Sequence, residues 1–244
     1  MKMNRMWGGM IGVVAMGVLV LSNQASAAGY EGGAVSGGGS ISGTVKLSGA
    51  APATKPHEVN KDQEVCGKTK PNESLVVSAD KSIQYAVVRL TDIKKGKKLD
   101  TSAKAVLDQS GCQFHPHVVI APIGGSLDVK NSDPITHNIH TFSFDNDPVN
   151  KAQPKTLPVI SAKFETPEII KTQCDIHKWM GATIVATDHP YVAVTDAKGQ
   201  FKLTDVPPGT YKMEIWHETL GSVTKEVTVK GGADSAVAVE LKAK

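Results

Sequence analysis

The chain has 244 residues, with 27 Lys and Arg against 24 Asp and Glu, a net charge of +3 at pH 7 and 5% aromatic residues. No basic stripe interleaved with aromatics is present, which argues against nucleic acid as a partner. The length allows one large domain or two small ones with real cores.

Residues 1–27 read as an export leader. Lys2 and Arg5 form a basic start, residues 7–21 are apolar and uncharged, and Ala25-Ser26-Ala27 supplies a small-x-small cleavage signal. The apolar run is too short for a membrane anchor, so no transmembrane segment is expected after cleavage. Removing Lys2 and Arg5 lowers the net charge from +3 to +1. The mature protein is expected in the periplasm or secreted. Residues 28–40, with Gly29, Gly32, Gly33, Gly37, Gly38 and Gly39, read as a flexible Gly/Ser-rich tether.

The body reads as β throughout. Residues 41–47 and 85–90 alternate, as do 118–123 and 127–129. Further runs follow at 140–144, 181–187, 191–195, 201–203, 211–216, 223–229 and 236–241. Turn signals separate them at Gly124-Gly125, Asn131-Ser132-Asp133-Pro134, Asp196-Ala197-Lys198-Gly199, Pro207-Pro208-Gly209 and Gly231-Gly232. Many short strands at this spacing, with no long helical period, predict an all-β sandwich architecture. Lys94, Lys95, Lys97 and Lys98 read as a solvated turn, and 148–158 as a surface loop.

Three cysteines in an oxidising compartment cannot all pair within one chain. Cys66-Gly67 and Gly111-Cys112 lie in turn-like contexts, so a Cys66–Cys112 disulfide is expected, with Cys174 left free. The competing arrangement is a metal site at Cys112, His115 and His117. Because His115 and His117 are two residues apart, they are expected to share a strand face. His140, three residues after His137, is expected on the opposite face and therefore structural. His189 falls in a linker. Trp216 is expected to fill a core, and His217-Glu218 to face a partner or the neighbouring domain.

Cys174, His177 and Met180 place a thiol, an imidazole and a thioether within seven residues, and His137 offers a second imidazole. Of the seven methionines, Met1, Met3, Met6, Met10 and Met16 lie in the leader, so Met180 and Met213 are the two in the body. Two imidazoles and a thiolate with a weak axial thioether is the ligand set of copper electron-transfer sites, though zinc accepts the same groups.

Residues 113–187 resemble the cupredoxins, of the amicyanin type. The resemblance runs through Phe114-His115-Pro116-His117-Val118, Gly124-Gly125-Ser126-Leu127-Asp128-Val129-Lys130-Asn131, His137-Asn138 and the short loop Cys174-x-x-His177-x-x-Met180. It implies one type 1 copper ion on His137, Cys174, His177 and Met180. It further implies Asn138 as the brace of the cysteine loop and a His177 whose ring edge reaches the surface to pass the electron. Trp179 would cover the site or face a docking partner. The flanks resemble carboxypeptidase-regulatory-like (transthyretin-like) modules, through Ile41-Ser42-Gly43-Thr44-Val45 and the block from Val194 through Asp196-Ala197-Lys198-Gly199 to Pro207-Pro208-Gly209-Thr210-Tyr211.

The expected organisation follows: N-terminal strands of the transthyretin-like domain at 41–92, a cupredoxin-like copper domain at 93–190, and the rest of the transthyretin-like domain at 191–244. The copper domain would be an insertion, or alternatively one of two tandem domains. The expected function is single-electron relay between a donor and an acceptor redox protein, without enzymatic activity of its own. A copper-delivery protein and a cell-surface module with a structural metal are the alternatives.

Overall fold

The structure is a computed structural model that describes residues 29–243. The leader expected at 1–27 lies outside the described residues. The chain opens with β1 (Glu31–Gly33), β2 (Gly39–Ser48), β3 (His57–Glu58), a helical turn α1 (Gln63–Cys66), β4 (Thr69–Lys70), β5 (Val87–Leu90) and β6 (Lys95–Lys97). Next come β7 (Ala105–Ser110), β8 (Gln113–His115), β9 (Val118–Pro122), β10 (Leu127–Asn131), β11 (His137–Phe142), β12 (Asn150–Gln153), β13 (Val159–Ala162), β14 (Glu168–Gln173) and β15 (Gly181–Thr187). It ends with β16 (Val192–Val194), β17 (Gln200–Val206), β18 (Gly209–His217), β19 (Gly221–Val229) and β20 (Asp234–Lys242).

These strands form two β-sandwiches. In one, the sheet β16-β5-β18-β19 faces the sheet β17-β2-β20. Its core holds Ile41, Val45, Leu90, Tyr191, Met213, Ile215 and Val239. The other stacks β13-β10-β7-β8 on β12-β11-β14-β15-β9, around Leu107, Phe114, Leu127, Ile139, Ile170 and Ile184. The strand-to-strand alternation of β2 and β20 buries one face of each, as period-2 patterning requires. β15 instead buries nearly every side chain. It lies between β14 and β9, and its outer face is covered by the seam cluster of Val87, Val118 and Val185 with Trp216.

The first sandwich is closed by strands from both ends of the chain. β2 pairs in parallel with β20 from Ser40↔Asp234 to Ser48↔Lys242, and antiparallel with β17. β5 pairs with both β18 and β16. The chain leaves this sandwich after β5 and returns in β16, the adjacent strand, with the second sandwich's strands β7–β15 between.

Several expectations need correction. The segment at 28–40 is not a free tether over its described part: β1 pairs with β6, and the Tyr30 hydroxyl donates to the Lys97 carbonyl at 2.5 Å. Glycine richness therefore serves close approach here. A Cβ on Gly39 would meet the Lys230 carbonyl at 2.5 Å, and one on Gly96 would meet the Tyr191 hydroxyl at 2.2 Å. The lysines of 94–98 accordingly lie on and beside a paired strand rather than in an open turn. The allotment of 41–92 to the first sandwich fails for part of its length, because Val59 and Cys66 pack into the second core. The 148–158 stretch contains β12, which pairs with β11; Gln153 is buried on Gln109 and the Val129 carbonyl, polar contacts that leave no apolar alternation to read. Trp216 lies in the seam between the sandwiches rather than in a core.

Gly43, in β2, is where the two chain ends are brought together. A Cβ there would meet the Val237 carbonyl at 2.1 Å and the Phe201 ring at 2.8 Å. Because one neighbour is backbone, the clash cannot be relieved by a rotamer change. Gly43→Ala is expected to cost about 3 kcal/mol, as overpacking does, while Gly33→Ala, which meets nothing within 4 Å, stays near neutral. Urea unfolding of the two variants checks this.

Candidate metal centre

The loop between β14 and β15 is a closed hairpin. The Cys174 amide donates to the Met180 carbonyl at 3.1 Å, and the Met180 amide to the His177 carbonyl at 2.8 Å. This sets Cys174, His177 and Met180 around one turn at the end of the second sandwich. β11 runs beside β14 with His140 opposite Gln173, so His137, three residues earlier, arrives at the same end. His137, Cys174 and His177 are each fully buried, and Met180 is buried in the second core beside them.

One donor atom from each of His137, Cys174 and His177 lies within 4.8 Å of the others. Nδ1 of His137 is 2.8 Å from Nδ1 of His177, and Sγ of Cys174 is 3.8 Å from Nδ1 of His177. The outer nitrogens face carboxylates: His137 Nε2 lies 2.9 Å from Asp133 Oδ2, and His177 Nε2 lies 2.8 Å from Asp62 Oδ2. A proton on each Nε2, donated to its carboxylate, leaves both Nδ1 lone pairs pointing at one another. Two lone pairs at that distance repel unless a cation or a shared proton lies between them. The donor set therefore fits a metal ion, in the carboxylate–histidine–metal pattern that orients ligand rings.

The sulfur is prepared in the same way. Backbone N–H groups of Asn138 and His177 donate to Cys174 Sγ at 3.4 and 3.3 Å. Burial pushes the Cys174 thiol above its ordinary value, while these backbone donors pull the other way. Burial also holds His137 below the usual imidazole value, against the opposing pull of Asp133. Asn138 fastens the loop: its Oδ1 accepts from the Asp175 amide, and its Nδ2 donates to Asn150 and Asp175 at 3.1 and 3.2 Å. Trp179 donates from Nε1 to the Cys112 carbonyl at 3.0 Å, with its ring 5.1 Å from that of His177.

Cys66 and Cys112 are joined in a disulfide, and Cys174 is free. Cys112 is thus not available to the competing cluster with His115 and His117, nor to a second grouping with Asp133 and His137 that proximity alone would allow. The expected shared face of His115 and His117 is also corrected. β8 ends at an exposed His115, whereas His117 is buried beside β9, in the other sheet, and pairs through Nε2 with Glu218 of the first sandwich. His140 points away from the centre to Asp175, at 2.9 Å. His189 is no idle linker residue: it is buried, and its Nδ1 accepts from the Tyr191 amide at 3.2 Å.

The largest correction concerns His177. The resemblance implied a ring edge at the surface, but the ring is fully buried because Asp62 and its segment cover it. Asp62 and Asp133 were both missed as site residues. Asp133 had a signal, standing four residues before His137 in a turn motif; Asp62 had none, since it lies 115 residues from the histidine it meets.

Residues 179–242 match the family model of the carboxypeptidase regulatory-like domain. The match begins inside the second sandwich, since residues 181–187 pair with β9 and β14. No curated protein matches the chain. Among solved structures, the chain is similar to a copper-containing nitrite reductase from Thermus scotoductus SA-01, at 17% identity and TM-score 0.32, over 38% of this chain and 26% of that one. It therefore spans about a quarter of that relative's length. It is also similar to an amicyanin variant in the Cu(I) state, at 15% identity and TM-score 0.31, over 34% of this chain and 80% of that one. A purple cupredoxin from Nitrosopumilus maritimus shares 18% identity at TM-score 0.29, over 35% of this chain and 100% of that one. The two resemblances read in the sequence, carboxypeptidase regulatory-like and cupredoxin, thus both recur among the comparisons, and the strand pairing is that of two all-β sandwiches.

A metal binds cysteine as thiolate, and the Cys174 thiol is raised above its ordinary value, so the metal-free protein holds a protonated thiol at neutral pH. The sign follows: uptake releases that proton, and apparent affinity rises with pH, about tenfold per unit, until pH reaches the raised thiol value. Competition titrations across the neutral range check this, and a flat profile would remove Cys174 from the ligand set.

Proposed function

We propose that the chain is an exported one-electron relay holding a single type 1 copper ion on His137, Cys174, His177 and Met180. The observation that carries this reading is the pair of buried imidazoles whose Nδ1 atoms converge beside the Cys174 sulfur while carboxylates occupy both outer nitrogens. Copper bound there would supply one-electron exchange between Cu(II) and Cu(I).

The chain's own residues do the rest. The closed 174–180 hairpin presets three of the four side chains, and the β11–β14 pairing presets the fourth. Backbone donors to Sγ spread the thiolate's charge, and Asn138 keeps the loop from shifting between oxidation states. A rigid frame that suits both states keeps reorganisation small. Four protein ligands leave no open position for substrate, which supports a carrier rather than an enzyme. Burial of all four side chains also counts against a delivery protein, whose cargo must be reachable by its recipient. Larger redox proteins would be donor and acceptor, met outside the cytoplasm.

Loaded with Cu(II), the protein is expected to show intense visible absorption from thiolate-to-copper charge transfer. Cys174→Ser should abolish the colour and leave the circular dichroism spectrum unchanged. Met180→Leu should keep the colour and raise the reduction potential, because a weak donor to Cu(II) is lost. A colourless wild type that binds copper stoichiometrically would refute the proposal.

A further inference from the structure

The segment at 57–70 is built as a small structure of its own. β3 and β4 pair at His57↔Lys70 and Glu58↔Thr69, and the Val59 amide donates to the Lys68 carbonyl at 3.0 Å. Between them the chain makes the single helical turn α1. The amides of Val65 and Cys66 donate to the Asp62 carbonyl at 3.0 and 2.8 Å, and the side chain of Gln63 donates to the Val59 carbonyl at 2.5 Å. Two anchors hold this unit on the second sandwich: Val59 is buried in that core, and Cys66 is bonded to Cys112.

At the head of the turn stands Asp62, with φ 51°, a left-handed backbone that a non-glycine residue rarely adopts. That conformation leaves its side chain without any capping bond to α1. The carboxylate is turned instead onto His177 Nε2, at 2.8 Å, and is itself 30% exposed while the histidine is fully buried. The disulfide lies on the same side of the site, since Trp179 donates to the Cys112 carbonyl and sets its ring, tilted, 5.1 Å from that of His177. A strained residue, a fastened turn and a buried imidazole thus converge at one point, which a loop of purely structural purpose would not require.

We propose that residues 57–70 form a disulfide-pinned cap that closes the metal centre on its His177 side, and that Asp62 is the positioning residue through which the cap acts. Asp62 fixes the His177 ring with its proton on Nε2 and its lone pair on Nδ1 facing His137 and Cys174. It also excludes water and external reagents from the ring. The cap slows metal exchange and keeps partners from reaching the His177 edge directly. This rests on the reading of the site as a metal centre, but the cap itself can be tested without metal.

In the metal-free, disulfide-intact protein purified after export, carbethoxylation with diethyl pyrocarbonate is followed residue by residue by mass spectrometry. His177 is expected to react at least tenfold more slowly than exposed His115. Asp62→Ala should bring His177 to within about threefold of His115, with the thermal unfolding midpoint little changed. Asp62→Asn, which keeps an acceptor oxygen, should retain most of the protection, a rescue that loss of packing alone would not give. In the copper-loaded protein, Asp62→Ala should speed transfer of copper to excess chelator by about 10- to 100-fold, the usual effect of removing a carboxylate behind a ligand histidine, with Asp62→Asn in between.

A His177 that reacts as fast as His115 in the wild type overturns the cap, as does one that stays protected in Asp62→Ala. Unchanged copper transfer in Asp62→Ala overturns the positioning role. If the wild type binds no copper yet shows the Asp62-dependent protection, the electron-relay reading fails and the cap stands.

Discussion

Two imidazole nitrogens pointing at each other across 2.8 Å, in a site closed to solvent, are the constraint around which the rest of this structure is arranged. Left alone, such a pair would swing apart or share a proton. It is held by hydrogen bonds made at the far side of each ring, to Asp133 and Asp62. Asp133 is held in turn, accepting from the amides of Gly111 and Cys112 at 2.7 Å each, at a turn where both residues are left-handed. The same turn carries the disulfide that fastens the Asp62 segment. Both carboxylates are therefore tied to one point in the chain, and the two histidines are oriented from a common support.

What was legible in the sequence follows from how local each feature is. Cys174, His177 and Met180 could be read together because one hairpin loop holds all three, and scarce residue types stand out when they cluster. His137 was recognised through its context of strand and turn. The cysteine pairing was legible by counting, given an oxidising compartment. Asp62 was not, because nothing near it in sequence mentions the site it serves. The exposure of His177 was misjudged for the same reason: a ligand's exposure depends on what another segment lays over it. Among the strands, β7, β8, β12, β13 and β14 were missed, with the short β1, β3, β4 and β6, and for β12 and β14 the cause is plain. Their inward positions include Gln153, Glu168 and Thr172, polar groups with hydrogen-bonding work. Glu168, for instance, accepts from the amide of Phe144 and the side chains of Ser143 and Asn146, and these bonds hold it below the usual carboxylate range despite its burial.

The seam between the sandwiches shows why histidines outside the centre should not be counted as spare ligands. His117 reaches across to Glu218, its ring lies 4.9 Å from that of Tyr85, and the Thr219 hydroxyl donates to the Ser74 carbonyl nearby. Around this polar strip, Val87, Val118, Val185 and Trp216 remove apolar surface from water. Besides the excursion between β2 and β5, the chain crosses the seam after β5 and before β16, which are hydrogen-bonded neighbours. A connection made at two adjacent strands, backed by an apolar patch and polar contacts, restrains relative motion far more than one linker does.

That restraint gives the first sandwich a physical role in the centre. The strands and loops of the second sandwich bring His137, Cys174, His177 and Met180 together, and the carboxylate on the outer edge of His177 comes from the segment between β2 and β5. Here the covering segment leaves the first sandwich after β2, crosses to the second core at Val59 and Cys66, and returns to enter β5. Its two ends are therefore fixed on one sandwich and its middle on the other. Closure of the His177 side thus depends on the two sandwiches keeping their relative position. A surface His177 would favour fast electron exchange with a docked partner, whereas a covered one favours retention of the metal and exclusion of small oxidants. In the proposed relay, burial of His177 under Asp62 favours retention of the metal over exchange at that edge.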